Sequence, residues 1–374
     1  VKKTIRSKVS IEFLLSSSAF VSFLVVLLGF LFGTLLILLV GKNPAGMYAA
    51  LLQTTTGFDA SRGVWNARYI GEWITASLPL ILCGLSMGFA ARTGLFNIGA
   101  EGQYIVGLTV AQYVALFFPA IPGLHWIMAV LAAGAAGAVW GGIVGWLKAK
   151  YSVSEVVATI MLNYIAFFLS RWVSMTIPGA NTYRTPNFPV TARLSNSFFY
   201  GLTNGSRLNN GVFIALISCL AFWFIIKKTK LGFELRATGL NRQAANYAGI
   251  PVTKSITTAM CVSGMFAGFA GAVIALGSFG YGRVLGGYDN YGFSGIAVAL
   301  VGNSTAGGIL LSGLLFGMLA SAQPLMQSRQ IPKEITLIIS GLVVVFISLR
   351  AGLTIFLNWR AKKMLKSEKE LSND

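Results

Sequence analysis

Residues Phe20–Val40, FVSFLVVLLGFLFGTLLILLV, contain no charged side chain. At ~1.5 Å of rise per residue, a helix of that length crosses the ~30 Å hydrocarbon layer of a bilayer. Lys2, Lys3, Arg6 and Lys8 precede the run, as in the basic leader of a signal peptide. The apolar stretch is longer than such a leader needs, and no small-x-small cleavage pattern follows it, so it reads as an uncleaved first span. Further apolar runs follow along the 374 residues, of which 55% are hydrophobic and 11% charged. Soluble domains carry about a quarter charged residues. The chain therefore reads as an all-α integral membrane protein.

Apolar runs and the breaks between them place about ten transmembrane helices near 20–40, 73–91, 97–118, 124–147, 153–177, 211–226, 255–276, 291–302, 305–323 and 335–357. The eighth is shorter than a full crossing, so it is tilted, extended toward Asp289, or re-entrant. With the first span starting in the cytoplasm, the inside segments carry 19 of the 29 Lys and Arg residues, while the loops 41–72 and 178–210 carry three each. That asymmetry follows the positive-inside rule and puts both termini in the cytoplasm. The reading divides the chain into a cytoplasmic segment 1–19, a permease domain 20–357 and a cytoplasmic tail 358–374. Within the domain, 178–210 is an extracytoplasmic loop and 227–254 a cytoplasmic segment. The net charge of +18 lies at the termini and beside apolar runs, which excludes nucleic acid as a partner and points to membrane lipid. Cys83, Cys219 and Cys261 have no metal or redox spacing, His125 opens an apolar run as an interfacial residue, and no metal site is expected. Gly137, Gly141 and Gly145 recur every four residues, as do Gly264 and Gly268, and Gly313 and Gly317, which fits close helix packing within the chain.

Two glycine-rich breaks stand out. GLFNIGAEGQ, Gly94–Gln103, separates the second and third spans; GSFGYGRVLGGYDNYGFSG, Gly277–Gly295, separates the seventh and eighth. The second lies five spans after the first, and an odd offset gives two halves of inverted topology. Broken segments at matching places in inverted halves mark a transport path. Phe96, Asn97, Glu101, Gln103, Asp289, Asn290 and Ser294 are the candidate path residues. Glu101 has two readings: it pins the turn through backbone N–H groups, or it touches the substrate. Tyr281, Tyr288, Tyr291 and Phe293 either stack on a base or form an interfacial belt.

The segment Lys227–Val252 holds short helical pieces around Gly239, FELRAT and NRQAANYA, with Asn241 as N-cap and Gly249 followed by Pro251 as the stop. Helices this short need something to pack against. Either they lie on the lipid surface with Phe233, Leu235 and Leu240 inserted, or they dock a soluble partner.

LRATGLNRQAANYAGIPV resembles the coupling-helix region of ABC-importer permeases in the branch that serves branched-chain amino acids, ribose-type sugars and nucleosides. TGLFNIGAEGQ resembles the signature of the simple-sugar and nucleoside permeases, and YGFSGIAVALVGNSTAGGI follows in the expected order. Together these motifs span roughly residues 70–350. The resemblance is strongest to the larger permease subunit of bacterial nucleoside importers, in the bacterial plasma membrane. It implies a fold like that of vitamin B12 importer-type permeases. It also implies ABC ATPase subunits that carry ATP and Mg, a second related permease, an extracytoplasmic substrate-binding lipoprotein and a nucleoside substrate, with a simple sugar such as ribose as the alternative. Glu234, Arg236, Gly239, Asn241, Ala244 and Gly249 would couple to the ATPase. An ion-coupled secondary transporter fits less well, because Glu72, Glu101, Glu155, Asp289 and Glu334 are few and sit mostly near span ends. An embedded enzyme lacks a nucleophile–base pair or acid pair, so no catalytic residue is assigned. The sequence contains no Gly-x-x-x-x-Gly-Lys-Ser/Thr loop to cradle phosphates. Purified alone, the chain is therefore expected neither to bind nor to hydrolyse ATP; specific turnover by the isolated chain in a malachite-green assay would refute this.

Overall fold

The computed structural model describes residues 18–349. The predicted segment before Ser18, the tail at 358–374 and the end of the tenth predicted span lie outside them. Each of the ten apolar stretches carries a helix within the described residues. In chain order the helices are α1 (Ser18–Leu39), α2 (Ala45–Thr56), α3 (Arg68–Arg92), α4 (Ala100–Phe117), α5 (His125–Tyr151), α6 (Glu155–Thr176), α7 (Ser197–Leu202), α8 (Gly211–Lys228), α9 (Lys230–Leu240), α10 (Arg242–Tyr247), α11 (Val252–Val273), α12 (Tyr291–Val301), α13 (Ala306–Ser328) and α14 (Glu334–Ser348). Six are long and apolar enough to cross a bilayer: α3, α5, α6, α8, α11 with its π-turn extension to Ser278, and α13. This is a multi-pass, all-α membrane architecture. Helix α4 has 18 residues, but Glu101 and Gln103 in its first turns make it less apolar. Helix α12 has only 11 residues, as the sequence suggested.

Two helices were not anticipated, α2 and α7. The end of α2 reads Gln-Thr-Thr-Thr, too polar to look like a span. Its hydroxyls turn back onto the helix, Thr54 Oγ1 donating to Ala50 O at 2.8 Å and Thr56 Oγ1 to Leu52 O at 2.6 Å. Among the described residues there are also two short antiparallel ribbons and a 3₁₀ turn at Val190–Ala192. β1 (Phe58–Asp59) pairs with β2 (Val64–Trp65), and β3 (Arg184–Asn187) pairs with β4 (Tyr281–Arg283). The second ribbon ties the 178–210 loop to the second glycine-rich break.

The contacts divide the chain into two units, residues 1–44 with 330–374, and residues 45–329. In the described part of the first, Gly29 of α1 lies against Val343 of α14, and the Phe32 and Phe346 rings are 5.4 Å apart. In the second, α3 and α11 form the centre: 83% and 78% of their most apolar stretches are buried, against 22% for α6. Helix α3 packs on α8, α11, α12 and α13, and α11 runs along α5 in the most extensive helix contact of this unit. His125 begins α5 and is buried within the protein, with Nδ1 2.9 Å from Thr191 Oγ1 and Nε2 3.2 Å from Val114 O.

Glycine makes the α5–α11 contact possible. A Cβ at Gly264 would stand 2.1 Å from Gly137 O, and one at Gly268 2.3 Å from Ala133 O. Gly313 and Gly317 bring α13 equally close to Ile81 and Ser77 of α3. The glycine repeats thus serve packing within the chain, where lipid supplies no hydrophobic drive and close van der Waals approach supplies the stability. Gly264→Leu is expected to destabilise the protein by about 3 kcal/mol through overpacking. Gly341→Leu, where a Cβ would meet no atom within 4 Å, should melt near wild type in the same detergent. Equal melting temperatures for the two variants would contradict the packing account.

Candidate functional site

Helix α3 ends at Arg92, and the chain turns through Gly94, whose φ of +67° suits a residue without Cβ. It then runs irregularly to α4. Irregular backbone at membrane depth persists only where protein or water satisfies its polar groups. Here side chains from neighbouring helices do so. Asn163 of α6, buried, accepts from Gly102 N at 2.8 Å and donates to Ile98 O at 3.1 Å, bracketing the break from one side. From the other side, Asn97 Nδ2 donates to Gln103 Oε1 at 2.8 Å and to Ser263 Oγ of α11 at 2.6 Å. Gln103 Nε2 returns a bond to Asn97 Oδ1 at 3.2 Å, and Ser263 Oγ donates to Ser86 O of α3 at 2.8 Å. Asn97 and Gln103 are fully buried in this conformation, bonded to one another.

The second break meets the first directly. Glu101, also fully buried, accepts from Asn290 N at 2.8 Å on one oxygen and from Gly292 N at 2.6 Å on the other. Those N–H groups lie at the start of α12, which leaves its first donors without intrahelical partners and favours an acidic neighbour. Asn290 is in the left-handed region at φ +64°. A Cβ at Gly292 would stand 2.2 Å from Glu101 N, so only glycine allows this approach. Asp289 accepts the Tyr104 hydroxyl at 2.6 Å and pairs with the Arg283 guanidinium. Ser294 is half-buried, its N–H on Asn290 O at 2.9 Å, and Phe96 is exposed. The structure therefore brings Glu101, Asp289 and Asn290 together and places the Asn97–Gln103 pair on a separate contact with α3 and α11. Tyr288 and Phe293 share an aromatic cluster with Tyr164 and Phe167, while Tyr291 packs on Tyr104.

The coupling candidates lie on α9 and α10. Asn241 caps α10 as the sequence suggested, its Oδ1 accepting from Ala244 N at 3.0 Å, and Gly249 follows the helix at φ +78°. The helical interruption falls at Asn241 rather than Gly239, because Gly239 still belongs to the last turn of α9. Gly239 sits on the first break: its Cβ would be 2.7 Å from Arg92 O, and a Cβ at Gly94 would be 2.9 Å from Gly239 O. Glu234 lies 3.7 Å from Lys230, and Arg236 Nε donates to Gly232 O at 3.2 Å. Leu235 is buried, but Leu240 and Tyr247 are 88% and 93% exposed, so α10 and its approach present an uncovered surface.

Residues 69–348 match the family described as branched-chain amino acid transport system / permease component. The chain belongs to this permease family. Among its relatives, the guanosine ABC transporter permease protein NupP of Bacillus subtilis is 40% identical over 89% of this chain and 93% of its own length. The nucleoside ABC transporter permease protein NupB of Lactococcus lactis is 36% identical over 93% and 95%. The glucose ABC transporter permease protein TsgB13 of Haloferax volcanii is 32% identical over 74% and 75%. As an ABC permease component the chain is a non-catalytic transport subunit, which implies a separate ATPase and a paired permease.

Sequence reading missed several residues that build the permease's paired breaks: Asn163, Ser86, Ser263, Tyr104 and Arg283. Asn163 carried a usable signal, a lone amide inside the apolar run MLNYIAFF. The serines carried none, since serine is common in membrane helices. Glu101→Ala strands the buried Gly292 N–H and the part-buried Asn290 N–H and should cost the permease about 2 kcal/mol, while Glu101→Gln, which keeps one acceptor oxygen, should cost about half as much. Thermal melting in detergent checks the order; wild-type stability for Glu101→Ala would rule out the bridging role.

Proposed function

We propose that this permease and a second, related permease form the nucleoside path of an ATP-driven importer. The observation that supports this most is the pair of helix breaks tied to each other by Glu101, in a chain 40% identical to a guanosine permease. In this reading the chain has ten spans with an inverted repeat, folds like the vitamin B12 importer-type permeases, and keeps both termini in the cytoplasm of a bacterial plasma membrane. The 178–210 loop faces outward and receives substrate from a binding lipoprotein. Residues 227–254 face inward, and the exposed α10 surface seats the ATPase, which holds ATP and Mg.

The path residues are Phe96, Asn97, Glu101, Gln103, Asp289, Asn290 and Ser294. Asn97 and Gln103 now bond one another, and breaking that pair during the cycle frees two amides for modest contacts with a passing solute. Several weak contacts suit a path better than one tight site. Gly239 rests on Arg92–Gly94, so motion of α9 reaches the first break without an intermediary. The glucose relative supports a sugar as the second reading. Uptake of labelled guanosine by proteoliposomes holding the full importer separates the two. Unlabelled nucleosides should compete at least about tenfold more strongly than ribose or glucose; the reverse order would transfer the assignment to sugars.

Orientation is tested independently. In a variant without the three native cysteines, Asn204→Cys should react with an impermeant maleimide on intact cells. Tyr247→Cys should react only after the membrane is opened. Either residue labelling from the opposite side would overturn the topology.

A further inference from the structure

A small cavity lies where α3, α8 and the start of α13 meet. Its volume is ≈ 100 Å³, about three times the ~30 Å³ share of a water molecule, which is room for one phosphate group. Arg92, Lys227 and the turn at residues 304–307 line its polar side, and Phe222, Trp223 and Ile226 its apolar side. Arg92 is anchored by two of its nitrogens, Nε to Ser304 O at 2.8 Å and Nη2 to Asn303 O at 3.1 Å, which fixes its charge beside the cavity. The remaining nitrogen, Nη1, makes no hydrogen bond among the described residues. Lys227 is exposed and has no acidic partner among them. Arg236 adds like charge to Arg92, and Lys228 sits 5.6 Å over the Trp223 ring. Cations gathered without carboxylates repel one another, and a bound anion relieves that repulsion. At the floor, the Thr305 hydroxyl caps Gly308 N at 3.2 Å, leaving the first-turn N–H groups of Ala306 and Gly307 as further donors.

The cavity is also placed for a lipid. Trp223 is half-exposed at the end of α8, where amphipathic rings mark the headgroup level. From there the outer face of α8, with Ile217, Leu220 and Phe224 exposed, runs along the direction an acyl chain would take. We propose that this cavity binds the phosphate of an anionic phospholipid. The leaflet named here, the cytoplasmic one, rests on the topology proposed above; the phosphate site itself does not. Basic pockets between spans on that side are suited to such headgroups. Because Arg92 immediately precedes Thr93–Gly94, on which Gly239 rests, the lipid would steady the junction between the first break and α9.

The test uses the full importer in nanodiscs of phosphatidylcholine with or without phosphatidylglycerol, and native mass spectrometry to count retained lipid. Wild type should keep phosphatidylglycerol in preference to phosphatidylcholine. Lys227→Glu should lower that retention roughly thirtyfold, because about 1 kcal/mol of attraction is lost and about as much repulsion is gained. Gly307→Asp is the sharper variant. A Cβ there meets no atom within 4 Å, and an acid in the first turn favours the helix, so the fold should melt no lower than wild type while its carboxylate repels the phosphate. Retention of phosphatidylglycerol at wild-type level by both variants would overturn the proposal, as would equal retention of both lipids by wild type. A further arm adds inorganic phosphate to lipid-free importer in detergent. Stabilisation by phosphate that phosphatidylglycerol does not displace would identify a free-anion site and also overturn the lipid assignment. Because retention is read without substrate, its failure leaves the nucleoside reading untouched, and failure of nucleoside uptake leaves retention unchanged.

Discussion

The carboxylate of Glu101 solves the problem that the rest of the structure creates. A chain that leaves two irregular stretches between packed helices must satisfy the N–H and C=O groups buried there. Glu101 gives one oxygen to Asn290 N and one to Gly292 N, so that one break is completed by a side chain from the other. The first break is in turn held by Asn163 from α6 and by the Asn97–Gln103 pair against α3 and α11. Neither break is self-sufficient. Any rearrangement that separates them must supply substitutes for these bonds, and a hydrated path or a polar solute is a chemically suitable source.

Much of the scaffold was legible because the bilayer imposes simple rules. Charge-free runs of about twenty residues have few options, and among the described residues every predicted run contains a helix. The polar end of α2 hid that helix, because hydropathy does not register threonines that bond back to their own backbone. The location of the candidate site was legible for the opposite reason: glycine, asparagine and acid are costly in such surroundings, so GLFNIGAEGQ and the stretch around Asp289 announced themselves. What could not be read was partnership. Nothing in the sequence says that Glu101 reaches a residue 189 positions away, or that Asn163 belongs with Gly102. Gly239 shows the same limit. The sequence places it among the coupling residues, but the neighbour its backbone meets is Arg92–Gly94 of this same chain.

The glycines divide into two physical roles. At Gly94 and Gly249, positive φ makes a side chain costly whatever the space around it. At Gly137, Gly264 and Gly268 the backbone is helical, and the restriction comes from the facing helix. The first kind shapes the turns at the break and beyond α10. The second sets how closely α5 and α11 can lie, and hence how rigid the frame around the break is.

The contact between Gly239 and Arg92–Gly94 has a mechanical consequence. Side chains at an interface can take up a small displacement by changing rotamer, and so act as a soft cushion. Here main chain presses on main chain, with no χ angle available to yield. Such a joint is stiff in compression and transmits a push of even a fraction of an ångström, yet it has no hook with which to pull. In the coupling role proposed for residues 227–254, such a joint would drive the break in one direction, and the return stroke would draw its force from elsewhere in the fold.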